Sequence, residues 1–244
     1  MQQNLPKHIF VIPDGNRRWA KSRGLATGRG HLEGRERFHE ISKVMFDLGI
    51  PFFTFWAMSE NNLNKRGPAE IKNLISLLQE SLRNRMADDL LKNQIRFRVL
   101  GRWRDYFFFK HLTSLIDMLE NRTLFFDKYN LTILLGYDGK TELVEAIQKI
   151  IMNTYQLAGP DRNLKPDFET IRQAAWAGEL PPVDLEIRTG EKDDGWFHNS
   201  SGAMMLHTTD SEIRSSKTFW PDFSEQELKK IIEEYARRER KLGR

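Results

Sequence analysis

The segment Pro13-Asp14-Gly15-Asn16-Arg17-Arg18-Trp19-Ala20 follows the apolar run His8–Ile12 directly and places one carboxylate beside Arg17, Arg18, Lys21 and Arg23. An Asp-Gly-Asn turn between a strand and a helix presents free backbone N–H groups, which together with arginines suit a phosphate. The same turn also suits simple helix capping by Asp14 or Asn16, with the bases solvated. Spacing alone leaves both readings open. A second candidate, Gly139-Lys140-Thr141 in "GYDGKTE", ends like a nucleotide-binding P-loop, but Leu134 stands where that motif needs its first glycine, which argues against nucleotide hydrolysis. The six histidines show no HExxH spacing, so a zinc hydrolase has no support. With no cysteine there is no thiolate site, and any metal must sit on carboxylate, histidine or phosphate oxygen, which points to a hard ion such as Mg²⁺.

The elements that would position these groups follow from apolar patterning. Short runs at His8–Ile12, Phe52–Ala57, Ile95–Leu100, Leu131–Leu135 and Val183–Ile187 are rich in β-branched or aromatic residues and predict strands. Helical spacing follows most of them: Ile71, Ile75, Leu78, Leu82 and Met86 fall on one face, as do Leu143, Ala146, Ile147 and Ile150. Strand-then-helix alternation predicts one α/β domain over residues 1–244 with a mainly parallel sheet flanked by helices. The stretch 158–165 reads as a loop, and the aromatic run Tyr106–Phe109 and the pair Met204-Met205 read as core. Polar residues gather just after the strands: Asp14–Asn16, Ser59–Asn62, Gly101-Arg102, Gly136–Lys140 and Arg188–Gly190. Ligands of open parallel sheets bind at the carboxyl ends of the strands, so one site lined by all five segments is expected.

The chain has a net charge of +4 and a pI of about 9.2, which favours anionic partners: nucleic acid, an acidic membrane surface or a phosphorylated small molecule. The C-terminal run Arg237, Arg238, Arg240, Lys241 and Arg244 serves equally as a basic patch or as the favoured end of a helix dipole. No recognised nucleic-acid module occurs, and no nucleic-acid partner is expected. No stretch approaches the ~20 apolar residues of a membrane span, and the N-terminus lacks the apolar segment of a signal peptide, so a cytoplasmic location is expected.

Taken in order, "PDGNRRWA" (13–20), "GHLEG" (30–34), "AMSENNLNKR" (57–66), "GYDGKTEL" (136–143), "DLEIRTG" (184–190), Glu212-Ile213, "WPDF" (220–223) and "RRERKLG" (237–243) resemble the cis-prenyltransferase family of the undecaprenyl diphosphate synthase type along nearly the whole chain. The resemblance implies a parallel six-stranded sheet, an apolar substrate tunnel, a homodimer and Mg²⁺-dependent transfer of an allylic diphosphate to a second isoprenyl diphosphate. It assigns Asp14 and Glu212 to the metal, and Asp14, Asn16 and His31 to catalysis. Gly15, Arg17, Arg18, Trp19, Arg29, Ser59, Asn61, Asn62, Lys65, Arg188 and Ser201 would bind substrate, with Arg188 and Ser201 on the acceptor's diphosphate. Ionising an allylic diphosphate moves about three negative charges onto the leaving group, so the site needs both a cation and arginines. Each added isoprene unit buries about five carbons, worth on the order of 3–4 kcal/mol, so a growing chain holds itself in an apolar tunnel and contact with membrane lipid is at most peripheral.

The chain departs from the pattern in four places. Thr27 stands where an arginine is expected, with Arg29 two residues on, and Asn61 stands at the glutamate of the second motif, with Glu60 adjacent. Leu63 replaces an aromatic residue. The segment after "RTG" is longer by about five residues and puts Asn199 at a second expected arginine, for which Lys192 is a partial substitute. A lost charge-assisted phosphate contact is worth roughly 1.5–3 kcal/mol. The expectation is therefore normal ionisation of the donor and unusual handling of the acceptor, isopentenyl or dimethylallyl diphosphate, with three outcomes open: a second allylic diphosphate as acceptor, a non-standard regiochemistry, or a short product that stops after one condensation. The alternative is a non-catalytic subunit of a two-chain cis-prenyltransferase.

Overall fold

The computed structural model describes residues 4–158, 165–191 and 202–238. Six strands form one sheet: β1 (His8–Ile12), β2 (Phe52–Ser59), β3 (Ile95–Leu100), β4 (Tyr129–Tyr137), β5 (Leu185–Arg188) and β6 (Glu212–Ser215). Their order is β3-β4-β2-β1-β5-β6, and every pairing is parallel. All five expected strands are present. The sixth, "EIRS", is too short and too polar to show the apolar run by which the others are recognised, and it is an edge strand with Ile213 exposed.

Both faces of the central strands are covered, which is why they are apolar along their whole length. Ile9 and Val11 join the larger core beneath α2 (Thr27–Asp47), α5 (Arg85–Lys92), α6 (Lys110–Thr123) and α9 (Glu225–Arg237). Phe10 and Ile12 face a second core with Trp56, Leu134, Tyr137, Leu180, Val183 and Met204, and α7 (Gly139–Ala158) and α8 (Phe168–Ala174) lie beyond it around Ala146, Ala175 and Leu206. One expected helix is broken. Ile71, Ile75, Leu78 and Leu82 share α4 (Pro68–Arg83), but Asn84 leaves helical geometry and Met86 belongs to α5. The aromatic run also divides, because a 3₁₀ turn buries Phe109 and leaves Phe107 exposed.

Two close approaches carry the site. The helix α1 (Asn16–Ser22) and the 3₁₀ turn of Trp220–Asp222 both pack onto α2 at glycines. A Cβ on Gly30 would stand 2.1 Å from the Asn16 carbonyl oxygen, and one on Gly34 would stand 2.2 Å from Asn16 Oδ1 and 3.1 Å from the Trp220 ring. Trp220 then donates from Nε1 to the Gly34 carbonyl at 2.7 Å. The glycine spacing of "GHLEG" is therefore a packing requirement that brings Asn16 and Trp220 against one helix.

Candidate active site

The site starts at the turn after β1. Gly15 takes φ +106°, where a side chain would strike Phe219, and its N–H donates to Asp14 Oδ1 at 2.6 Å. The Asp14 carbonyl is held by the Thr189 hydroxyl at 2.9 Å and by the Trp220 N–H at 3.0 Å, so β5 and the Trp220 turn together fix the loop. Its carboxylate, 41% exposed, lies between two guanidinium groups: Arg18 reaches Oδ1 at 3.0 Å and Arg188 reaches Oδ2 at 3.2 Å. The α1 helix has only seven residues, so its dipole is small and most of the anion-binding capacity falls on the arginine side chains.

A second cluster stands beside it. His31, buried on α2, lies 3.0 Å through Nε2 from Glu70 Oε1 on α4, while Arg66 and Arg17 approach the same carboxylate at 3.6 and 4.0 Å. Burial lowers the His31 pKa, and the charges of Arg66 and Arg17 push it the same way against Glu70. A neutral His31 donating to the carboxylate through Nε2 keeps its lone pair on Nδ1. Burial likewise lowers the Arg66 pKa, opposed by Glu70, yet a guanidinium stays charged. Motif reasoning does not single out Arg66 or Glu70. Their four-residue spacing across the start of α4 is the available signal, masked by the irregular "SENNLNKR" register.

These groups rim two adjoining hollows that share Pro13, Asp14, Asn16, Arg17, His31 and Arg66. One is a cavity of about 510 Å³ running between α2, α4 and the sheet, its walls formed by Phe38, Phe55, Leu74, Leu78, Ile133 and Trp220. The other is a polar basin bordered by Gly15, Arg18, Lys21 and Thr27. An apolar volume of that size with convergent polar groups at its mouth is the usual form of a ligand pocket.

The remaining sequence candidates divide. Ser59, Asn61, Asn62 and Arg188 line the cavity mouth, and Ser59 also caps α3 (Glu60–Lys65) by accepting from the Asn62 N–H at 3.0 Å. Asn16 turns inward, donating to the Pro13 carbonyl at 3.2 Å with Oδ1 buried and without a partner among the described residues. Trp19 is a packing residue: it is buried, and its Nε1 donates to Asp222 at 2.7 Å. Arg29 pairs with Glu33 along α2, and Lys65 is exposed; neither lines a hollow. Glu60 is held by Thr141 at 3.1 Å and Arg102 at 3.5 Å, so it does not take the place of Asn61 at the mouth.

Within one chain the structure does not bring Glu212 to Asp14. Glu212 is in register with Leu185 and Ile9, five residues back from Asp14, or roughly 16 Å along the strand direction at about 3.3 Å per residue. It pairs instead with Arg238 at 3.2 Å. Ser201, Lys192 and Asn199 lie outside the described residues, as do Arg240, Lys241 and Arg244.

The family model for undecaprenyl diphosphate synthases matches residues 12–243. The chain belongs to this family of cis-prenyltransferases. An isoprenyl transferase of Fusobacterium nucleatum is 34% identical over 244 residues, covering 100% of this chain and 98% of that protein. A tritrans,polycis-undecaprenyl-diphosphate synthase (geranylgeranyl-diphosphate specific) of Thermoplasma acidophilum is 30% identical, covering 98% and 89%. Among solved structures, lavandulyl diphosphate synthase from Lavandula x intermedia, in complex with dimethylallyl diphosphate, superposes with a TM-score of 0.88 at 26% identity over 98% of this chain and 99% of that one. A probable undecaprenyl diphosphate synthase from Campylobacter jejuni shares the fold, with a TM-score of 0.77 at 24% identity over 99% and 100%. This cis-prenyltransferase is thus an enzyme that condenses isoprenyl diphosphates, and its parallel six-stranded α/β fold is that of its relatives.

Proposed function

We propose that this chain is a Mg²⁺-dependent prenyltransferase that ionises an allylic diphosphate beside Asp14 and couples it once to a second five-carbon diphosphate held near Arg188. The observation that carries this reading is Asp14 held between Arg18 and Arg188 at the mouth of an apolar cavity. Among the described residues no three metal-binding side chains cluster, so there is no closed protein cage. A magnesium ion, which protein sites commonly hold through one or two carboxylates, would be held by Asp14. When bound, such an ion neutralises charge on the leaving diphosphate.

The protein's own groups supply the rest. Arg17, Arg18 and Arg66 face the phosphates of the donor, and neutral His31, braced by Glu70 through Nε2, leaves Nδ1 as an acceptor that reaches the departing diphosphate only through a water or a protonated phosphate oxygen. Phe38, Phe55 and Trp220 keep water from the allylic cation while the second double bond attacks it, and the coupled cation then gives up a proton to the released diphosphate. Dimethylallyl diphosphate, the ligand of the lavandulyl diphosphate synthase structure, is a five-carbon allylic diphosphate and supports a small allylic substrate.

A short product also fits the cavity wall. Arg35, clamped by Glu36 at 2.7 Å and Glu80 at 2.5 Å, lines the cavity among Phe38, Leu74, Leu77 and Met86. An apolar chain gains nothing by stripping water from a guanidinium, so this residue opposes elongation past it. Arg35→Leu is expected to lengthen the product by at least one five-carbon unit, read by mass spectrometry of the dephosphorylated alcohols. The deciding assay supplies purified protein and Mg²⁺ with pairs of C5 to C20 diphosphates. Long chains formed only from isopentenyl with farnesyl diphosphate would overturn the single-coupling reading, and no product from any pair would favour a non-catalytic subunit.

The assembly proposed is a homodimer through α7. Val144, Ile147, Ile151 and Tyr155 recur every three or four residues on its exposed side, with Met152 adjoining, a stripe that α7 does not bury against its own sheet. Ile151→Glu would place a charge in that interface, at a cost of about 3 kcal/mol or roughly 100-fold in dimer affinity. Light scattering at micromolar concentration should then show monomer where the parent chain shows dimer.

A further inference from the structure

Arg188 is engaged by more than Asp14. Its Nε contacts Glu191 Oε1, and both side chains are withdrawn from solvent, at 11% and 13% exposure. The Glu191 position is built into the turn: its N–H donates to the Ser216 carbonyl at 3.0 Å, the preceding Gly190 N–H donates to the Thr218 carbonyl at 2.8 Å, and Gly190 takes φ +71°. A Cβ on Gly190 would come within 3.0 Å of Arg18 Nη2, so the turn packs directly against the other arginine of the Asp14 pair. Among the described contacts, Asp14, Arg18, Arg188 and Glu191 form one group whose formal charges cancel.

We infer that Glu191 is a specificity-determining residue whose carboxylate competes with the acceptor's diphosphate for Arg188. This rests on the reading above that Arg188 serves the acceptor. A guanidinium offers its donors in a rigid fork, and a carboxylate packed against Nε, although Nε and Glu191 Oε1 do not meet in hydrogen-bond geometry, crowds and neutralises the edge a phosphate would use. The acceptor must displace that carboxylate or make do with the remaining edge. Asp14 faces Arg18 and Arg188 alike, whereas Glu191 adds a second carboxylate at Arg188 among the described contacts. The consequence is a donor held firmly and an acceptor held weakly, which suits an enzyme that couples once and does not draw in one acceptor after another.

The test is calorimetric titration of the full chain with isopentenyl diphosphate, which is not consumed without an allylic partner, and separately with the unreactive thiolo analogue of dimethylallyl diphosphate. Glu191→Gln keeps the shape of the side chain and removes its charge. It should tighten isopentenyl diphosphate about ten-fold, the scale of one charge-assisted contact regained, and move the thiolo analogue less than three-fold. Glu191→Ala should act in the same direction, and a thermal melt of each variant checks that it folds. Because the unliganded variants leave Arg188 without Glu191, isopentenyl diphosphate should also raise their melting temperatures more than that of the parent.

Unchanged or weaker isopentenyl diphosphate binding in both folded variants would mean that Glu191 merely orients Arg188, and would overturn the inference alone. Equal tightening of both ligands would reduce it to a general charge effect and overturn it too. Failure of parent and variants alike to bind isopentenyl diphosphate would instead remove the acceptor reading of Arg188 on which the inference stands.

Discussion

Asp14→Asn is expected to lower prenyl transfer about 1,000-fold with Mg²⁺ and saturating diphosphates, while the thermal melt moves by no more than a few degrees. The size follows from what one atom exchange removes. The asparagine keeps an oxygen for the Gly15 N–H, so the turn survives. It loses the charge that balances Arg18 and Arg188 and the only carboxylate at the mouth, among the described residues, fit to take a metal. Losing one preorganised electrostatic partner of a developing charge costs on the order of 100- to 1,000-fold, and the expected loss sits at the upper end because the same exchange weakens the metal contact. Stability should barely respond, because ion pairs of a carboxylate exposed to 41% are screened by water. Steady-state rates from a radiolabelled acceptor, with a parallel melt, measure both. Undiminished turnover by a folded Asp14→Asn would end the catalytic assignment and leave the subunit role as the better account.

Much of this site is legible in the amino-acid sequence, and the reason is local. Strand ends in a parallel sheet must meet at one edge, and of the five segments expected to line one site those of Asp14, Ser59 and Arg188 do, whereas Gly101-Arg102 and Gly136–Lys140 at the ends of β3 and β4 line neither hollow. The "GHLEG" glycines enter the sequence reading only through the family resemblance, and the structure shows Gly30 and Gly34 to be where α1 and Trp220 touch α2. What stays hidden depends on depth and direction. Trp19 sits in a charged motif yet faces Asp222, since a three-residue step along α1 turns the side chain from the basin into the fold. Arg66 and Glu70 straddle a helix start, and no pattern in "SENNLNKRGPAE" says which of its polar residues turns inward. Glu212 lies near the WPDF turn in sequence but at the far end of β6, because strand direction separates residues that a linear count keeps close.

Stability should follow pH as a ramp on the acid side, with a smaller opposing slope near neutrality. Buried His8, between Thr54 Oγ1 and the Pro181 carbonyl at 2.8 Å each, has its pKa lowered to about 4 chiefly by desolvation. His207, buried beside Arg172, is lowered to about 4 by desolvation first and then by the charges of Arg172 and His8. In the unfolded chain both would protonate near 6.5, so between pH 6.5 and 4 the unfolded state binds more protons and stability falls with acid. Either histidine alone is worth about 3 kcal/mol across that window, and the pair less than twice as much because their protons repel. Glu186, in the same sheet with Phe10 and Ile213 as register neighbours, works the other way. Desolvation raises its pKa to about 7, against the pull of Arg188, so the folded state keeps a proton that the unfolded chain releases near 4.5. Its contribution is full below pH 4.5 and is lost as pH rises through 7, about 3 kcal/mol in all. Glu186→Gln should therefore gain up to that amount at pH 8 and nothing at pH 4, whereas His207→Gln should flatten the acid ramp. Urea unfolding from pH 4 to 8 separates the two slopes, and an acid ramp unchanged in His207→Gln would show that the unfolding protons go elsewhere.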